Sequence, residues 1–149
     1  DSLMKPVLFP VNTITGISIT RGFPLEPRAG ERVDHPHHIG LWFNYESVNG
    51  LDFWNNSTAI PYSDRSRYGY IEHHRVLKAQ PVAKNKATLI VTAKWKNKSG
   101  YTLLDETTAY LFEVRNGDFI IDRTTTLTSA VDEVVFKDVK DGLLAIRVA

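Results

Sequence analysis

Three observations predict an all-β fold, an antiparallel β-sandwich, for this chain. Residues 86–96 alternate apolar and polar side chains almost without a break, the period of a half-buried strand. Asn49-Gly50 and Asn116-Gly117 are turn dipeptides set between β-prone runs, the strongest short-range hairpin signal. No stretch sustains a 3.6-residue period with caps, and no internal repeat is evident.

Taken in order, Met4 to Phe9 is a short β-prone run punctuated by Pro6 and Pro10, which suits an edge strand. Gly16 to Thr20 alternates Ile17 and Ile19 with Ser18 and Thr20, a second short strand. Residues 22–34 hold Gly22, Pro24, Pro27 and Gly30 without periodicity and read as a loop. That loop feeds Asp34-His35-Pro36-His37-His38, which carries three of the five histidines. His38 to Tyr45 is aromatic and aliphatic enough for a buried strand. Residues 55–67 form a long polar loop, a length often functional or mobile. From Tyr68 the chain reads as a β meander, with turns at residues 97–100 and 116–117. A charged turn, residues 137–142, precedes a last strand from Leu143 to Val148.

The turns also predict register. A two-residue loop at Asn116-Gly117 sets Arg115 opposite Asp118, Tyr110 opposite Arg123 and Glu106 opposite Leu127. A four-residue loop at residues 97–100 sets Ala93 opposite Leu104 and Val91 opposite Glu106. Both place one inner face along Ala87 to Trp95, Leu104 to Val114 and Phe119 to Leu127. Glu106 and Arg123 then share that face roughly 13 Å apart, too far to pair at strand rise. A lone carboxylate on an apolar face is costly, which makes Glu106 a site candidate.

Composition bounds the function. The 149 residues make a one-domain length, 42% hydrophobic and 23% charged. A chain of this size buries roughly 70% of its unfolded surface and needs no disulfide or structural metal. Net charge of +1 without a basic stripe argues against an electrostatic nucleic-acid or membrane binder. No apolar run reaches the ~20 residues of a membrane span. With no cysteine there is no disulfide framework, thiolate metal site or cysteine nucleophile. That absence fits a reducing or an oxidising compartment, and a periplasmic or secreted location is compatible with it.

Two readings of the histidines compete. In an extended segment His35 and His37 point the same way and, joined by His73 or Glu106, would hold a divalent metal for a hydrolase or an oxygenase. Metal-free proton transfer by His37, His38, His73 and Glu106 is the other, with Asp34 orienting an imidazole. Tryptophans Trp42 and Trp54 flank the run and offer apolar faces to a sugar, whereas Trp95 belongs to the core. Arg147, within an apolar strand, asks for an anion. Asp52 is otherwise a turn cap.

Arg21-Gly22-Phe23-Pro24, Asp34-His35-Pro36-His37-His38-Ile39-Gly40-Leu41-Trp42-Phe43 and Val48-Asn49-Gly50-Leu51-Asp52-Phe53-Trp54 closely resemble a bacterial family catalogued as methane oxygenase PmoA. Gly69-Tyr70-Ile71-Glu72-His73, Asp105-Glu106-Thr107, Ile121-Asp122-Arg123 and Ile146-Arg147-Val148 also follow its pattern, and Lys140-Asp141-Gly142 stands where members often have Lys-Glu-Gly. Methane-oxidising membrane subunits are rich in transmembrane helices, which this chain lacks. The resemblance implies a β-sandwich of mutarotase-like supersandwich type and a carbohydrate role. Members continue beyond these motifs into a further tryptophan-rich half, which implies that residues 1–149 are the amino-terminal part of a longer domain. The expectation is a carbohydrate-processing enzyme with a small-molecule or glycan ligand lined by Arg21, Trp42, Asn49, Asp52, Trp54, Lys140 and Arg147. A metal-dependent enzyme and a non-catalytic glycan-binding or structural sandwich are the alternatives. Partnership with a second copy, or with the missing carboxy-terminal half, is a further expectation.

Overall fold

The computed structural model describes residues 3–149, whose seven strands form two antiparallel sheets in a sandwich-like arrangement. The small sheet has β2 (Leu41–Tyr45) between β1 (Val7–Leu8) and β7 (Gly142–Ile146). The large sheet is a meander of β3 (Tyr70–Ala83), β4 (Lys86–Lys96), β5 (Thr102–Arg115) and β6 (Asp118–Ser129). The expected antiparallel all-β class is therefore the observed one. A single 3₁₀ turn, Tyr62–Arg67, interrupts the long polar loop.

The turn chemistry behaves as the dipeptides require. Asn116 and Gly117 both take positive φ, 54° and 88°, as do Asn49 and Gly50 at 49° and 77°. Two-residue hairpins of type I′ need this at both central positions. The β5–β6 ladder accordingly has Arg115 opposite Asp118, Tyr110 opposite Arg123 and Glu106 opposite Leu127. The β4–β5 ladder differs from expectation by two residues: Trp95 lies opposite Leu104 and Ala93 opposite Glu106. The loop is longer than four residues, closing with Asn97 N–H to the Tyr101 carbonyl, and a bulge follows at Lys96. A shift of two preserves the face, so the inner row stands while every pairing moves. The bulge also lets the consecutive residues Leu103 and Leu104 both bury.

Three expected strands are shorter than read. Residues 4–9 keep only Val7–Leu8, because Pro6 and Pro10 offer no N–H to a ladder. Residues 16–20 contribute bridges alone, Asn12 to Ser18 and Thr20 to Val148. The strand expected from His38 begins at Leu41, since Gly40 turns the chain at φ 59°. A Cβ on Gly40 would sit 2.3 Å from the Leu8 carbonyl oxygen. Gly40→Ala is expected to cost at least ~2 kcal/mol in chemical denaturation, combining left-handed strain with forced separation of β1 from β2.

Alternation along β2 decides what each face does. Phe43 and Tyr45 turn toward the meander and pack on a core of Val48, Phe53, Ile71, Ala93, Trp95, Leu103 and Leu104. The Trp95 ring is the hub, 4.9 Å from Phe53 and 6.2 Å from Phe43 between centroids. Trp42 and Asn44 are buried on the opposite face, which the loops carrying the histidines and Trp54 cover. The five-residue β2 spans only part of the fourteen-residue meander strands, so the far part of β3 exposes Val76, Leu77 and Val82.

Candidate functional site

The histidines sit on a tight turn rather than an extended segment. His35 takes φ 45°, and its carbonyl accepts the His38 N–H at 2.9 Å across Pro36-His37. Proline at the second position pre-sets such a turn. The turn stacks the His35 and His38 rings, 4.9 Å apart and 11° from parallel, with His37 edge-on to His38 at 4.3 Å. His38 in turn stacks on Trp42 at 5.2 Å, and Trp42 meets Trp54 at 5.5 Å.

Arg21 holds this turn in place. Its side chain, 1% exposed, donates to the carbonyls of Arg32, Asp34, His35 and His38 at 2.8–3.1 Å and to the Asp34 carboxylate at 2.8 Å. The same Asp34 Oδ1 takes a bond from Arg147 at 2.8 Å, and Oδ2 lies 3.0 Å from His35 Nδ1. The imidazole that Asp34 contacts is His35, not a member of the expected proton-transfer set His37, His38 and His73. The His35 hydrogen bond, followed by the charges of Arg147 and His35 and the Arg21 hydrogen bond, holds the Asp34 carboxyl below its ordinary range. Arg147 reaches this point because its strand pairs back onto the loop, its N–H meeting the Gly40 carbonyl and its carbonyl the Arg21 N–H.

Beside the turn lies a cleft of about 170 Å³, lined among others by Lys5, Pro24, His37, Asn56, Ser57 and Thr58. Lys5, 4% exposed, extends over the Trp42 ring and donates from Nζ to the His37 carbonyl at 2.6 Å. Burial lowers its ammonium to about 7, opposed by the charge of Asp52. Burial, aided by the neighbouring His38, Lys5, His35 and Arg21, lowers His37 to about 3. His38 falls to about 4, again chiefly by burial and then through His35, Lys5, Arg147 and Arg21. Both rings are neutral at pH 7, and among the described residues no hydrogen bond from the protein engages their nitrogens. Arg21 Nε, Trp42 Nε1 and Asn44 Oδ1 in the same layer are buried without partners, and such unsatisfied groups concentrate where a fold carries a site.

These shifts predict acid lability with a definite sign. Each histidine binds a proton in the unfolded chain near pH 6.5 and only near 3 or 4 in the fold. Between those values the unfolded state carries more protons, so stability falls as pH falls, by up to about 1.4 kcal/mol per pH unit for each ring. Urea titrations from pH 7 to pH 4.5 are expected to show a slope that His37→Asn reduces. An identical slope in that variant would mean that His37 is not a source of the lability.

Other expected site residues lie elsewhere. His73 is on the meander edge strand β3, exposed in a surface cleft with Leu3 and Met4. Among the described residues no group of three His, Cys, Asp or Glu side chains is arranged to hold a metal ion, so the set His35, His37 and His73 does not assemble. The turn splays the two loop histidines, and Asp34 is already committed to two arginines. Glu106 is no lone carboxylate. It is 5% exposed and accepts Trp95 Nε1 at 2.8 Å, Thr108 Oγ1 at 2.6 Å and Arg123 at 2.7 Å. The distance of roughly 13 Å along the strand is crossed because both long side chains lean along it toward each other. Glu106 is buried among these partners and does not line the cleft beside the histidine turn.

Asp52 caps its own turn, accepting the N–H groups of Trp54 and Asn55 at 2.8 and 2.9 Å, and so sets the loop that carries Trp54. Asn49 fastens the Val48–Leu51 turn to the Glu133 carbonyl and to Val135. Lys140 is exposed just before Gly142, which pairs with Tyr45. Both lie toward the end of β2 remote from the histidine turn, ~13 Å along the strand. Trp42 and Trp54 are buried supports of His38 rather than open platforms. Lys5, Asn56 and Ser57 are cleft residues that no sequence motif marks. Their only signals are a lysine inside an apolar strand-like run and the length of the 55–67 loop.

Fold and cleft together define the class: an antiparallel β-sandwich with a small cleft, part polar and part apolar, beside a braced histidine turn. The chain belongs to a family of unknown function (DUF6807), whose model matches residues 1–149. No curated protein and no solved structure matches it. No helix among the described residues is long and apolar enough to cross a membrane.

Proposed function

We propose that this protein binds a monosaccharide-sized carbohydrate in the Lys5–His37 cleft and acts on it by proton transfer. The observation that carries the reading is a buried amine that titrates near 7 beside an imidazole held neutral, in one cleft. A group poised near working pH both accepts and returns a proton, and a neutral imidazole offers one donor and one acceptor nitrogen. Asn56, Ser57 and Thr58 supply the uncharged polar wall that hydroxyl groups need, and Pro24, Pro36 and Ile39 supply apolar surface for sugar C–H groups. The resemblance to a family associated with sugar handling points the same way. Of the expected set His37, His38, His73 and Glu106, this reading keeps His37 for proton transfer and adds Lys5, while His38, stacked on Trp42, fixes the turn behind them.

A panel of monosaccharides tested by thermal shift and by NMR of exchanging sugar protons checks this. A stoichiometric ligand whose turnover falls at least about tenfold in His37→Asn is the expected result. Insensitivity to every sugar would sink the carbohydrate reading. Binding without turnover would identify a glycan-binding module instead.

A further inference from the structure

We infer that the cleft selects an anionic sugar, one bearing a carboxylate, and that the Lys5 ammonium is its counter-ion. This rests on the carbohydrate reading above and names the substrate class for the same cleft. An ammonium has three N–H donors, and Lys5 spends one on the His37 carbonyl. Among the described residues no carboxylate pairs with it. Asp52, the one whose charge it feels, has its oxygens occupied by Trp54 N–H, Asn55 N–H and Asn55 Nδ2. Burial disfavours the unpaired ammonium at this cleft wall, and an anion bound beside it restores that charge, so anion binding and protonation of Lys5 support each other.

The surrounding charge agrees. Asp34 is shared between Arg21 and Arg147, so that pairing leaves positive charge over, and His37 and His38 both feel the cations of the layer. The choice between anions follows from what is free. Arg21 is spent on the Asp34 carboxylate and four loop carbonyls, and Arg147, whose one side-chain bond goes to Asp34, does not line the cleft. What remains is a single point charge with two open donors. That matches a singly charged carboxylate better than a phosphate dianion, which is usually met by a guanidinium fork or several N–H groups. The cleft volume of about 170 Å³ admits one sugar ring rather than a chain.

The test compares glucuronate and galacturonate with glucose and galactose by calorimetry at low salt. Glucose 6-phosphate and acetate serve as further arms, and wild type is compared with Lys5→Met and Lys5→Arg. The expected result is that one uronate binds wild type at least about tenfold more tightly than its neutral counterpart. That preference should weaken with salt, vanish in Lys5→Met and survive in part in Lys5→Arg. Circular dichroism confirms that the variants fold, and the salt series on wild type stands even where one does not. A neutral sugar binding as well as its uronate, a sugar phosphate binding more tightly, or a preference retained in Lys5→Met would overturn the inference while leaving the carbohydrate reading intact. Absence of binding by every sugar would overturn both.

Discussion

Glu106→Leu is expected to lose about 3–5 kcal/mol of stability, more than any other single substitution in this fold named above. The substitution leaves the Arg123 guanidinium buried beside Tyr110 and Phe43 with no anion, and strips Trp95 Nε1 of its acceptor in the middle of the core. Glu106→Gln keeps shape and part of the hydrogen bonding, so its loss is smaller. The double variant Glu106→Leu with Arg123→Met removes both charges together and is expected to recover most of the deficit, since a buried pair is worth far less than the penalty for breaking it. Urea denaturation of the three variants decides the matter. A single-variant loss below about 1 kcal/mol, or a double variant no better than Glu106→Leu, would show that the pair is not the electrostatic unit its geometry implies. Glu106→Gln should also leave ligand affinity unchanged, because the carboxylate faces the core and not the Lys5 cleft.

Arg21→Met is the second large effect, on the order of 3 kcal/mol, and it falls on the site as well as on stability. One side chain satisfies four backbone carbonyls of the loop and shares the Asp34 carboxylate, so its removal leaves several acceptors unmet at once. Arg21→Lys keeps the charge but not the planar fork, and a three-donor point charge cannot serve acceptors spread around a guanidinium. It should recover less than half the loss. The distinguishing readout is tryptophan emission. Freed from Arg21, the turn no longer presses His38 on Trp42, so the spectrum shifts under conditions where far-ultraviolet circular dichroism still reports a folded sheet. An unaltered spectrum would mean that the turn is held by Pro36 and the Asp34–Arg147 pair instead.

The meander is largely legible in the sequence because its information is local. Alternation over 86–96 and the Asn-Gly pair at 116–117 fix which face is apolar and which residues oppose one another, and the β5–β6 register follows directly. The β4–β5 register does not, because the loop has one residue more than four and a bulge at Leu103, opposite Lys96, adds a second that alternation does not reveal. The histidine run is legible as a place but not as a shape. An extended run would align His35 with His37, whereas the turn across Pro36 stacks His35 on His38. Lys5 carries no local signal of its role, because its burial depends on Trp42 and the His37 carbonyl, thirty-odd residues away in sequence.

Local pattern is enough for the antiparallel sandwich class, the Asn-Gly turns, the inner face of the meander and the place of the histidine run. All of these rest on side-chain period and on dihedral preferences of a few adjacent residues. The closed fold is what makes Glu106 and Arg123 a buried ion pair, sets Arg21 and Asp34 to brace the turn, and puts Lys5 at the cleft wall. Each of these depends on how far a long side chain reaches and on which charges are left without a partner once the sheets have closed. Those quantities are set by packing between distant segments, which no local pattern encodes.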